Sequence, residues 1–167
     1  MTNYIIHNQK KYPHPAITHI APALFNADSD DRKALREKGI DFASDSDVIE
    51  WAKNRIVDPG VSHIVCKEAD FPSHPDWQES WELKNGTLSV NLEKAKNVHI
   101  NNLRSIRKQK FIDLGFPYKL NAHVENAILD DDTKAKLSTL RDFPKTIDLS
   151  NANSVDDIQK IIPDCLK

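Results

Sequence analysis

The chain has 167 residues, 39% of them apolar and 29% charged, with a net charge of −2 and a mean hydropathy of −0.58. That length suits one domain or two small ones with a modest core. With 23 basic and 25 acidic residues interspersed, the chain lacks the net basic character of nucleic-acid binding proteins, and no run of about 18 apolar residues offers a membrane span.

The first residues, Met1 to His7, lack the apolar stretch of a secretory signal. Tyr4-Ile5-Ile6 predicts a short strand, and Pro13, Pro15 and Pro22 confine the segment after it to irregular or edge structure. Asp28-Ser29-Asp30-Asp31 predicts a helix start, because short acceptors cap orphan amides and acids suit the positive end of the dipole. That helix runs through Arg36 and stops at Gly39. Ser44-Asp45-Ser46-Asp47 repeats the signal, followed by Val48, Ile49, Trp51, Ala52 and Ile56 on one side of a helix that ends at Asp58-Pro59-Gly60. Val61 to Lys67 predicts a strand.

Phe71-Pro72-Ser73-His74-Pro75 must be extended or turned, since a proline disfavours helix just before it. The expected division therefore places a small α+β part with short strands at 1–72. A mainly helical module, led by one long helix, occupies 73–167, and the fold class is α+β. Trp77 is expected as a packing anchor ahead of a hairpin over 81–90, whose Asn85-Gly86 pair suits a tight turn with positive φ. The long helix spans 91–113, with Leu92, Ala95, Leu103, Ile106 and Leu114 on one stripe that also holds His99, Arg107 and Lys110. Asp130-Asp131-Asp132-Thr133 starts a helix reaching about Leu140. Ser154-Val155-Asp156-Asp157 resembles a capping box, starting a short helix from Asp156 to Ile162 that stops at Pro163.

No chemistry emerges from these residues. The seven histidines form no HxH or HExxH pattern, and Cys66 and Cys165 lie far apart with no CxxC spacing, so no metal or cofactor is expected. The acid pairs Asp131/Asp132 and Asp156/Asp157 sit at helix starts, where capping accounts for them. Four glycines leave no room for a Gly-rich nucleotide loop, and no GxSxG motif occurs. No catalytic residues are assigned. Arg107, on the apolar stripe, needs a carboxylate or several carbonyls. Asp142 is the leading partner, in a clasp between helices, with Asp113 a local alternative and a neighbouring subunit the rival. Arg104 stands three residues before it. Trp77 and Trp81, with Trp51, are core or interface anchors.

The ordered motifs of the second half carry a resemblance. They are Ala69-Asp70-Phe71-Pro72, Glu79 to Leu83, and Leu92-Glu93-Lys94-Ala95-Lys96 leading to Arg104-Ser105-Ile106-Arg107. Leu140 to Pro144 and Pro163 to Leu166 complete them. Over roughly residues 58–166 the chain resembles a domain recurrent in tailed-bacteriophage tail, tail-fiber and neck-associated proteins. The resemblance implies a virion structural protein that docks onto neighbouring tail, neck or fiber subunits in many copies. Its place would be the virion, and the host cytoplasm during assembly. It implies neither a nucleic-acid nor a membrane partner. The alternative is a tail or tail-fiber assembly chaperone absent from the mature particle; a third, from another class, is a small enzyme with a dispersed site.

Overall fold

A computed structural model describes residues 2–115 and 130–167. The fold is α+β, in two compact units, Met1–Asn91 and Leu92–Lys167.

The first unit is built on strands β1 (Asn3–His7), β2 (Ala16–Ile20) and β3 (His63–Lys67), in the antiparallel order β2-β1-β3. Ile5 faces Thr18 on one neighbour and Val65 on the other. Ile5 and Ile6 point to opposite faces and both are fully buried, so the central strand is covered on both sides. β2, flanked by Pro15 and Pro22, lies at one edge of the sheet. Helix α1 (Asp30–Glu37) is capped by Ser29, whose Oγ accepts from the Arg32 amide. Helix α2 (Asp45–Ile56) starts with a full capping box: Ser44 Oγ accepts from Asp47 N–H, and the Asp47 carboxylate accepts from Ser44 N–H at 2.8 Å. Ile5, Ile20, Phe42, Val48 and Ala52 form the core cluster between sheet and helices.

Arg32 is a structural cation that the sequence pattern did not reveal. Its side chain is buried, donating from Nη1 to the Leu24 carbonyl at 3.0 Å and from Nη2 to the Phe42 carbonyl at 2.7 Å. Its guanidinium lies 4.8 Å from the centre of the Phe42 ring. Those contacts, with Asp41 Oδ1 at 3.5 Å, offset the cost of burying the charge. They also draw the start of α1 toward the segment that opens α2.

A 3-10 helix over Pro75–Ser80 leads into the hairpin of β4 (Trp81–Lys84) and β5 (Thr87–Val90). The turn residues Asn85 and Gly86 both have positive φ, 51° and 77°, as the sequence predicts. An added Cβ at Gly86 would touch nothing within 4 Å, so substitution there costs backbone strain alone. Gly86→Val is expected to destabilise the chain by about 1–2 kcal/mol, measured by urea unfolding.

The units divide between Asn91 and Leu92, not after Pro72. The reason is packing. Phe71 sits edge-on between Tyr4 (4.9 Å between ring centres) and Trp81 (5.4 Å), and Asn8 Nδ2 donates to the Leu83 carbonyl. The hairpin is thereby tied to the N-terminal sheet, which proline punctuation could not show.

The second unit consists of α3 (Leu92–Asp113), α4 (Asp131–Thr146), α5 (Val155–Lys160) and a closing 3-10 turn, Asp164–Leu166. Asp130 caps α4, and the bond from the Thr133 hydroxyl at 2.7 Å, together with that from Thr133 N–H at 2.8 Å, holds its carboxyl below the usual range. Helix α4 runs past the predicted end at Leu140 and carries Pro144 within its last turn. Pro144 has no N–H for the Leu140 carbonyl, yet the helix closes beyond it through Ile147 N–H to the Phe143 carbonyl. Ser154 caps α5, its Oγ accepting from Asp157 N–H at 3.1 Å, and the Asp157 carboxylate accepts from Asn153 N–H at 3.3 Å.

Candidate functional site

The strongest constellation in the second unit is the meeting of α3, α4 and the C-terminal turn. On α3 the buried residues are Ala95, His99 and Leu103, each four positions from the next, which is one ridge of a helix. On α4 they are Leu137, Leu140 and Phe143. Leu103, Leu140, Phe143 and Leu166 form one cluster, with Phe111, Ile147 and Cys165 packed against it. The residues that carry the resemblance, from the α3 region, from Leu140 to Pro144 and from Pro163 to Leu166, thus supply a common core.

His99 belongs to that core. It is 5% exposed, and its Nε2 lies 2.8 Å from the Ile161 carbonyl. A carbonyl only accepts, so that nitrogen carries the proton and donates. The bond fastens α3 to the end of α5. By contrast, Ile106 stays 42% exposed, although the apolar spacing predicts it on the buried stripe.

The expected clasp between Arg107 and Asp142 is absent from the described residues. Asp142 lies two positions after Leu140, and two helical steps rotate it away from the packed side of α4. Its carboxylate accepts from Arg141 Nε at 3.0 Å and Nη2 at 2.9 Å, and from Ser138 Oγ at 3.3 Å. The Arg141 bond holds the Asp142 carboxyl below its ordinary range. Arg107 instead donates from Nη1 to the Arg141 carbonyl at 3.4 Å and lies 5.5 Å from the centre of the Phe143 ring. It bridges the two helices through a carbonyl and a ring face. Arg104 is exposed and donates to Asn101 Oδ1 at 3.0 Å on its own helix. Asp142→Ala is therefore expected to leave the melting temperature unchanged, while Arg107→Ala lowers it by a few degrees. A large drop for Asp142→Ala alone would restore the clasp.

Trp77 and Trp81, candidates for an interface, are 6% and 1% exposed. They are spent on the chain's own packing. Trp51, half-buried, meets Phe42 edge-on and stacks with Arg55 at 5.0 Å.

Beside the cluster lies a cleft of about 540 Å³ lined by Lys110, Leu114, Ala135, Lys136, Thr139 and Cys165, among others. Its one thiol, Cys165, is pushed up by burial, which lowers its thiolate fraction and its reactivity. Lys110 Nζ donates to the Lys167 carbonyl at 3.1 Å. Among the described residues, no group of three His, Cys, Asp or Glu side chains could hold a metal ion, and no helix is long and apolar enough to cross a membrane. Compared with family models, curated proteins and solved structures, the chain matches none.

Proposed function

We propose that this chain is a bacteriophage virion structural protein of the tail or neck, docking onto neighbouring tail or fiber subunits. The observation that carries the reading is the order of motifs over residues 58–166. The motifs from the α3 region, Leu140 to Pro144 and Pro163 to Leu166 meet around one small core, Leu103, Leu140, Phe143 and Leu166, bridged by Arg107, while those at 69–72 and 79–83 belong to the first unit. A pattern made of packing residues specifies a scaffold. The exposed Ile106 and Ile112 on α3 suit a subunit that completes its burial in an assembly.

Quantitative mass spectrometry of purified particles tests this. The expected result is the chain at a fixed, repeated copy number relative to known tail subunits. A chain needed for particle assembly yet missing from the finished particle would replace this reading with the chaperone one.

A further inference from the structure

Antiparallel strands bond through alternate residues, so the bonds from β3 to β1 decide which residues of β3 keep their backbone groups for the outside. Asn8 N–H donates to the Ser62 carbonyl at 3.0 Å, one step beyond the pair His7 and His63. Ser62, Ile64 and Cys66 therefore turn their amides and carbonyls to β1, and His63, Val65 and Lys67 turn theirs to the free edge. The two ends of that edge are closed locally. Val61 N–H donates to the Asp58 carbonyl at 3.1 Å, and Lys67 N–H to the Asp70 carboxylate at 2.8 Å. Between them, the amides of His63 and Val65 and the carbonyls of His63, Val65 and Lys67 make no bond among the described residues. The Val65 side chain, on the same face of the sheet as Ile5, is 39% exposed.

The opposite edge of the sheet differs. By the same alternation Ile17 and His19 of β2 turn outward, but Pro15, two residues before Ile17, brings no amide to that edge. An edge with open donors and acceptors is a template for another strand. The open groups of β3 fit the β3 of a second copy. With Val65 opposite its counterpart on a two-fold axis, each Val65 amide meets the other Val65 carbonyl, and each His63 amide meets the other Lys67 carbonyl. Every free amide of the edge is then used, and neither closed end has to open. The two exposed valines cover one another as a cross-strand pair.

We infer that the free edge of β3 pairs antiparallel with β3 of a second copy of this chain, joining the two three-stranded sheets into one, in the order β2-β1-β3-β3-β1-β2. The inference rests on the reading of the chain as a repeated subunit and names one contact between its copies. Such a contact uses the same edge on both chains, so it closes at the dimer. The interface is short and binds weakly on its own; in a particle of many copies, the other contacts of each subunit raise the effective concentration of its neighbour.

The test uses the purified full chain in sedimentation velocity, over a concentration series reaching about 1 mM because so short an interface is weak. Amide hydrogen exchange by NMR is read at both ends of the series. The wild-type chain is expected to move from monomer to dimer and no further. Exchange at the His63 and Val65 amides is expected to slow about tenfold where nine-tenths of the chains are paired, while Ile17 and His19, on the other edge, do not change. Val65→Pro removes the central amide; that amide faces away from β1, so the chain's own ladder keeps its bonds. Val65→Lys sets two cations opposite each other on the axis and keeps the amide. Circular dichroism melts verify folding, and Val65→Lys carries the test if the proline variant does not fold. Both variants are expected to stay monomeric throughout the series. A wild-type chain that remains monomeric, a dimer that survives the folded variants, growth beyond the dimer, or slowed exchange at Ile17 and His19 overturns the inference. None of these outcomes alters whether the chain is counted in purified particles, so the two readings fail separately.

Discussion

Replacing Trp81 by alanine is expected to destabilise the chain by about 3–5 kcal/mol, the range for removing a large aromatic from a core. Trp81 is 1% exposed, meets Phe71 edge-on and opens the hairpin that packs with the N-terminal sheet. Set against a total stability of about 5–15 kcal/mol, that loss removes a large share of the margin. Its indole Nε1 is buried without a hydrogen-bond partner among the described residues, a standing cost of about 1–3 kcal/mol. Trp81→Phe removes that orphan donor with most of the ring retained, so it is expected to cost far less than alanine. Urea unfolding of both variants decides this. Equal losses would mean that the indole nitrogen is satisfied and that ring size governs the site.

Phe143→Ala is expected to have a comparable effect in the second unit, about 3–5 kcal/mol. Phe143 is 3% exposed, sits in the cluster with Leu103, Leu140 and Leu166, and offers its face to Arg107. Its removal opens a cavity and strips the guanidinium of its ring. The measure is calorimetry of the single variant beside Arg107→Ala and the double variant. If ring and cation act together, the double variant loses less than the sum of the two. Strict additivity would show that the Phe143 ring does not help to hold Arg107.

The local signals in the sequence are strong where one or two residues decide the backbone. Ser29, Ser44, Asp130 and Ser154 each cap the helix they announce, and Asn85-Gly86 makes the hairpin turn. The long helix is legible from its apolar spacing. The hidden part is tertiary. Arg32 reads as an ordinary helix cation, because nothing local tells that two carbonyls and a ring await it. Asp142 looks like a partner because it stands beside a packing residue, but a helix turns it aside. Prolines misplace the unit boundary because they mark turns, whereas membership of a unit depends on which rings touch. Of the residues singled out for function, Trp77 and Trp81 are core, Arg107 is a bridge, and Arg104 remains on the surface.

The strand order has a consequence for how the chain is made. β1 and β2 can pair soon after both have left the ribosome, but β3 lies at His63–Lys67, on the far edge of the same sheet. At about 5–20 residues per second, the nascent chain waits several seconds for that strand. Until then Ile5 and Ile6 belong to a two-stranded ribbon, which is marginal by itself and leaves one side of β1 unpaired. In the second unit, the cluster that Leu103 begins on α3 is completed only when Leu166 emerges, far along the chain. Neither unit can finish folding early, and synthesis passes through a period of open edges in which neighbouring nascent chains are the nearest available partners.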